Sequence, residues 1–503
     1  MTKMNKCYVC EKKAKRLCPG TDGIICSICC GSKRNSEIKC APDCVHSPFS
    51  VAGYDSWLKV DAAVAMKFMK YVSLHYSEAE FRARVEDMYY EEHGPIDEAY
   101  TLAAGSAALN ILFIEQNKTG KTLASNWEAE GWGGLNNDER MMMKYLKDSR
   151  VTIIEIQKVL DYQTMKCIDI LDPEHKPFIL LDRNMAKRAI RFTKLFTWLA
   201  HFSNFSKALY GGVEISDFVY NEFMDEIHRV AAKGLKRNKQ FNIKDKLSEN
   251  FGKYCQITFE LAREKQKAML NRMDMHQCIA TYEIKGNYNG VELILEKYPE
   301  FEWDDIDPEE GDPEGTLYYR WLRRGKSKEI ETHMHSAFRH KDESMGVGTL
   351  GNITVCSSEL RIEVFSKQKY EFAKKMAKQY FGELIALKRE KVVDIARQMA
   401  EKPMDAITET EGREEEAPII SPEDERKALQ IFYEDKYKNF LDEKIPMIDN
   451  HTPKQASKIP RLKPELTELM KLHIKGIEKT NREKGTDINI DWILKEVDMS
   501  ELM

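Results

Sequence analysis

The residues of this chain best suited to chemistry crowd one end: 8 of its 12 cysteines fall within the first 44 of 503 residues. They run Cys7-x2-Cys10-x7-Cys18-x7-Cys26-x2-Cys29-Cys30-x9-Cys40-x3-Cys44-x-His46. Tetrahedral zinc takes four thiolate or imidazole ligands, and two short pairs joined by a loop supply them without backbone strain. Eight cysteines and one histidine suffice for two ions. The spacing predicts an interleaved arrangement, with Cys7, Cys10, Cys26 and either Cys29 or Cys30 around one ion. Cys18, Cys40, Cys44 and either the remaining cysteine or His46 would hold the second. A segment of about fifty residues cannot bury a sufficient core unaided, so its folding is expected to depend on metal.

The same ligands decide the charge. A net charge of -5 argues against binding nucleic acid through overall charge. Residues 1–50 hold nine basic and four acidic side chains, a formal +5. Eight thiolates (-8) and two zinc ions (+4) bring that to about +1. Lys12, Lys13, Lys15, Arg16, Lys33 and Arg34, set between the ligands, remain for selective contact with a protein or structured RNA.

Elsewhere the chemical signals are weaker. Gly120-Lys121-Thr122 lacks the first glycine of a phosphate loop, since Glu115 stands there. His333, His335, His340 and Asp342 have the types a metal or acid-base site needs, in a polar Lys-rich stretch that reads as solvated. The acidic run from Glu300 to Glu314 departs from a calcium loop at Pro308 and Pro313 and reads as a solvated loop. Cys167, Cys255, Cys278 and Cys356 are expected to pack in the interior. No Ser-His-Asp, Cys-His or paired-carboxylate arrangement stands out, so no catalytic or organic-cofactor residue is assigned.

The elements around these residues define the architecture. A chain of this length suggests about three to four domains, and 42% hydrophobic with 32% charged residues excludes a disordered or collagenous chain. No run approaches the roughly 18 apolar residues of a membrane span. Cysteines and lysines stand where a signal peptide would need an apolar core, so the expected compartment is the cytoplasm, where clustered cysteines bind metal. The fold class expected is α+β multidomain. It begins with a zinc-binding module at 1–48 and a helical domain at 49–148, in which Asn137 caps a helix. A small β-barrel-like domain follows at 149–215, built from five short strands. Residues 216–275 form a helical connector with a basic run at Arg229, Lys233, Lys236, Arg237, Lys239, Lys244 and Lys246. An α+β domain at 276–400, an acidic linker at 401–425 and a C-terminal helical partner-binding segment at 426–503 complete the chain.

Cys-x2-Cys, then Leu17-Cys18-Pro19, then Cys26-Ser27-Ile28-Cys29-Cys30 resembles the cross-braced HIT-type and MYND-type zinc fingers, which implies two interleaved zinc sites used for protein contacts. The longer string from Ile25 to Arg34, with Glu37-Ile38-Lys39-Cys40 and Asp43-Cys44, resembles uncharacterised bacterial SEC-C-associated zinc-finger proteins, which implies zinc and no known activity. Tyr437, Phe440-Leu441-Asp442, Ile445-Pro446-Met447-Ile448 and His451-Thr452-Pro453-Lys454-Gln455-Ala456 resemble the tail of that group. More faintly they resemble the toxin-binding segment of Xre-family antitoxins, which implies a partner surface.

These readings point to a cytosolic zinc-binding interaction or regulatory protein that contacts a protein or structured-RNA partner and does not act at a membrane. The local basic residues suit RNA or DNA phosphates alike. The alternative is an enzyme, a metal-assisted hydrolase or nuclease using the histidines between 333 and 340.

Overall fold

The computed structural model describes residues 6–89, 96–270, 275–306, 312–313, 315–322, 349–395, 397–398 and 421–503. Among them are 16 α-helices and three sheets, a mixed α+β architecture. The chain divides into a first unit, Met1–Ala262 with Glu414–Met503, and a second, Arg263–Arg413, inserted between those two parts in sequence. No described helix is long and apolar enough to cross a membrane.

The first unit begins with a hairpin, β1 (Arg16–Cys18) and β2 (Gly23–Ile25), followed by α1 (Ser27–Lys33). Helices α2 (Tyr54–Val72), α3 (Glu78–Met88), α4 (Ile96–Phe113), α5 (Leu123–Ala129) and α6 (Asn137–Lys147) come next. Reciprocal capping boxes start three of them: Ser77 with Glu80, Thr122 with Ser125 and Asn136 with Glu139. The expected cap Asn137 is thus one residue late. Glu139 at the third helical position can return a bond to the backbone of Asn136, whereas Arg140 could not do so for Asn137. α4 buries Leu102, Ala103, Ala107, Ala108, Leu109, Ile111 and Leu112, the all-round burial of a core helix.

Strands β3 (Arg150–Val159), β4 (Thr164–Asp169), β5 (Phe178–Leu181), β6 (Lys194–His201) and β7 (Ser206–Ile215) form a sheet in the order β3-β4-β5-β7-β6 that closes on itself. The β5–β7 join is a single parallel pairing, Leu180 with Ser206. Between β5 and β6, residues 183–188 form the short helix α7 (Arg183–Arg188), because the Asp182 carboxylate caps the N–H of Met185 at 2.8 Å. Phe196 and Trp198 on β6 share a core with Trp57 of α2 and with Phe223 and Phe251 of the following helices. Those helices are α8 (Tyr220–Arg237), α9 (Ile243–Glu249) and α10 (Phe251–Leu270).

The second unit runs β8 (His276–Ile284), α11 (Tyr288–Lys297), β9 (Phe301–Asp304), β10 (Leu317–Leu322), β11 (Thr349–Val355), β12 (Glu359–Val364), α12 (Lys367–Phe381) and β13 (Ile385–Asp394). Its sheet is antiparallel in the order β13-β8-β12-β11-β10-β9. Within it β8, β11, β12 and β13 with the two helices have the split β-α-β order 4-1-3-2. Tyr370, Ala373, Met376 and Phe381 of α12 pack with Ala280, Ile353, Leu360 and Ile362 of the sheet. The acidic run was expected to be loop, yet its first residues form β9. Phe301-Glu302-Trp303-Asp304 alternates, and Phe301 packs against Trp321 with ring centroids 5.4 Å apart.

The chain then returns to the first unit with α13 (Pro422–Phe440), α14 (Pro453–Ala456), α15 (Lys463–Lys484) and α16 (Asp491–Glu496). One face of α15 lies against the closed sheet. Lys194, 2% exposed on β6, lies 3.3 Å from Glu155, 3.5 Å from Asp217 and 3.2 Å from Glu468. Lys471 reaches Glu155 at 2.8 Å, and Lys475 reaches Asp217 at 2.9 Å. The chain itself therefore occupies that face of the C-terminal segment, and any partner of 426–503 must use the other.

Candidate metal centre

Cys7 and Cys10 sit on a tight turn. Cys7 N–H donates to Lys12 O at 2.7 Å, Glu11 N–H donates to Cys7 O at 2.9 Å, and Glu11 takes a left-handed φ of 60°. Tyr8 N–H donates to Ile24 O at 2.7 Å, which holds the turn against β2. Cys26 follows β2 directly and caps α1, its Sγ accepting the Cys29 N–H at 3.4 Å. Cys7 Sγ accepts the Cys26 N–H at 3.3 Å.

The sulfurs of Cys7, Cys10, Cys26 and Cys29 all lie within 4.8 Å of one another. Cys10 Sγ and Cys26 Sγ are 3.7 Å apart. A tetrahedral ion with Zn–S bonds of about 2.3 Å spaces its sulfurs about 3.8 Å apart, so the set is compatible with zinc. Burial disfavours ionisation of Cys7, but the N–H groups of Cys26, Cys10 and Val9 outweigh it and its thiol falls to about 6. The Cys29 thiol is pushed up to about 12, first by its hydrogen bond with Cys10 and then by burial. Four thiols this close share protons unless a cation lets them all ionise. None of the twelve cysteines is in a disulfide.

Between the alternatives Cys29 and Cys30, Cys29 joins this set. Consecutive helical residues point about 100° apart, so one turn of α1 aims only one of them at Cys26. Among the described residues no other group of sulfurs meets the same distance. Cys18, Cys30, Cys40 and Cys44 are nevertheless neighbours. The Gly20 backbone abuts Ile38 and Lys39, where a Cβ would stand 2.3 Å from Lys39 O. Asn35 Nδ2 donates to Ser47 Oγ at 3.0 Å, tying the end of α1 to the chain after Cys44. Burial chiefly raises the Cys40 thiol, the Asn35 N–H opposes it, and the charges of Cys44, Cys30 and Cys18 raise it further. His46 is lowered by burial and then by Arg16 and Arg34, so cations rather than thiolates are its charged neighbours.

A contact that spacing did not reveal fastens this segment to α6. Arg34 donates through Nε to Asp138 Oδ1 at 2.8 Å and through Nη2 to Asp138 Oδ2. Asn137, free of capping duty, donates to Gly31 O at 3.2 Å and Arg34 O at 2.9 Å, and accepts from Ser36 Oγ at 2.8 Å.

The remaining candidates divide clearly. Asn117 Oδ1 accepts the N–H groups of Thr119 at 2.9 Å and Lys121 at 3.1 Å, so these amides do not face a phosphate. His333, His335, His340 and Asp342 lie outside the described residues. Cys167, Cys255 and Cys278 are buried as expected, whereas Cys356 is only half-buried, since it sits in the turn between β11 and β12 beside Ser358. Asp61 on α2 gave no sequence signal, yet burial raises its carboxyl to about 6 against a partly offsetting Lys207. No protein-family model, no curated protein and no solved structure matches this chain.

Proposed function

We propose that residues 1–48 are a two-zinc structural module and that the chain is a cytosolic interaction or regulatory protein contacting a protein or structured-RNA partner. The observation that carries this reading is the closed set Cys7, Cys10, Cys26 and Cys29. Four protein thiolates complete a tetrahedral ion and leave no position for water or substrate, which is the property of a structural site. Cys18, Cys30, Cys40 and Cys44 hold the second ion, supported by their electrostatic proximity at Cys40. The module, the small β-barrel-like domain and the helices around them then act as one scaffold. The resemblance to SEC-C-associated and cross-braced fingers favours the same reading.

Elemental analysis of the purified full-length chain tests it. About two zinc ions per chain are expected, falling to about one in Cys7→Ser with Cys10→Ser and likewise in Cys40→Ser with Cys44→Ser. A further ion that is lost in His333→Ala with His335→Ala would favour the metal-assisted hydrolase instead.

A further inference from the structure

The basic run between 229 and 246 has no part in the metal centre. The structure folds part of it into a concavity. α8 ends, a loop of residues 238–242 reverses the chain into α9, and the first turn of α10 faces back, enclosing a cavity of about 610 Å³. Arg229, Lys233, Arg237, Phe241, Lys246 and Lys253 are among its lining residues. Gly234 sets the shape, because the Phe241 ring lies over it and a Cβ there would stand 2.5 Å from the ring.

Five cations and three carboxylates line this space. Each carboxylate is committed: Glu226 to Arg229 at 2.6 Å, Glu249 to Lys246 at 2.9 Å, and Asp245 to Arg150. Lys233, Arg237 and Lys253 have no acidic partner among the described residues. The negative end of α8 accounts for Arg237 in its last turn. It does not account for Lys253, which comes from the opposing helix. Lys233 and Arg237 are one helical turn apart, about 6 Å along the axis, so the unneutralised charge is spread along the groove. A spread of cations with an aromatic in the lining suits a chain of phosphates better than one compact anion.

We propose that this concavity binds the phosphodiester backbone of a single-stranded nucleic acid, with Lys233, Arg237 and Lys253 on phosphates and Phe241 packing against a base. This narrows the RNA arm of the interaction reading above to an unpaired stretch and rests on that reading, but not on the zinc count.

Anisotropy of a fluorescein-labelled oligouridylate of about 12 residues, titrated with full-length zinc-loaded protein over a range of salt, tests it. Three phosphate contacts predict a log-log salt slope of about -2 for a single strand. Lys233→Glu with Arg237→Glu should weaken binding at least tenfold and flatten the slope, with only a small fall in thermal stability from the acidic charge placed at the end of α8. Lys253→Gln, a milder change on an exposed side chain, should weaken it about threefold and serves if the double reversal does not fold. Absence of binding, wild-type affinity in the variants, UMP binding as tightly as the strand, or preference for a duplex of equal length would each overturn the proposal. Zinc measured on the same samples reports the metal centre separately, and recovery of a protein partner without RNA binding would preserve the interaction reading while ending this one.

Discussion

Arg34 and Asp138 form a two-point ion pair across 104 residues of chain, with Nε 2.8 Å from Oδ1 and Nη2 on Oδ2. Their side chains are 19% and 12% exposed, so the pair is largely withdrawn from solvent. Hydrogen bonds to Asp138 first, opposed by burial, hold the guanidinium pKa above its ordinary value. The cysteine-rich segment is therefore fastened to α6, and anything that disorders one should be felt by the other.

Truncating either partner leaves a desolvated charge, so Arg34→Ala and Asp138→Ala should each lower stability by about 2–4 kcal/mol. Urea unfolding of both single variants and the double variant forms the cycle, with an expected coupling of about 1–3 kcal/mol. A coupling near zero would show that the fastening contributes nothing.

Metal removal should travel the same route. Chelation should expose Lys33 and Arg34 to trypsin, because α1 depends on Cys26 and Cys29 for its position. Restoring zinc should restore protection, and Asp138→Ala should speed cleavage even with zinc present. Cleavage that ignores chelator would separate folding of this segment from metal.

Asp61 sets a pH dependence whose sign is opposite to that of most carboxylates. Burial raises its carboxyl to about 6, above the ordinary value near 3.9. The folded state thus binds this proton more tightly, and the group's contribution falls as pH rises from about 4 to about 6, then stays low. Asp61→Asn should be more stable than the parent by about 2–3 kcal/mol at pH 7, with the gap closing by pH 4. His473, lowered to about 4 by burial and then by Lys436, contributes in the reverse direction over the same range and cancels in that difference. Unfolding at pH 4, 5, 6 and 7 checks it, and a constant gap would remove Asp61 as the source.

Glu155, 1% exposed, holds both Lys471 and Lys194. Glu155→Gln should cost about 2–4 kcal/mol by leaving two lysines short of a charge, and the apolar pair Glu155→Met with Lys194→Met should recover part of it. Calorimetry of the three proteins decides, and a neutral Glu155→Gln would mean that water already serves the lysines.

Much of the candidate metal centre is legible in the sequence because a tetrahedral ion would impose its geometry on spacing: Cys7, Cys10 and Cys26 follow from the Cys-x2-Cys pairs alone. The choice of Cys29 over Cys30 is not, since it depends on where α1 begins, a matter of one residue. β9 hid inside a run counted for its charge, although Phe301 and Trp303 alternate with acids. β13 leaves no clear trace in the sequence, because Lys388, Arg389, Glu390 and Lys391 mask a period of two on an edge strand that is mostly exposed. The Arg34–Asp138 pair left no local trace at all, since nothing in a window of sequence joins residues a hundred positions apart.

The docking of α15 on the closed sheet has a consequence for the order of synthesis. Lys194 and Glu468 are 274 residues apart. At ribosomal speeds of about 5–20 residues per second, Lys194 spends on the order of tens of seconds without that carboxylate, with the whole second unit made in the interval. For that time the nascent first unit carries an uncovered Phe192 and an incompletely matched Lys194. Its completion is therefore postponed until the segment carrying Glu468 has been made, an interval in which a holding chaperone would matter most.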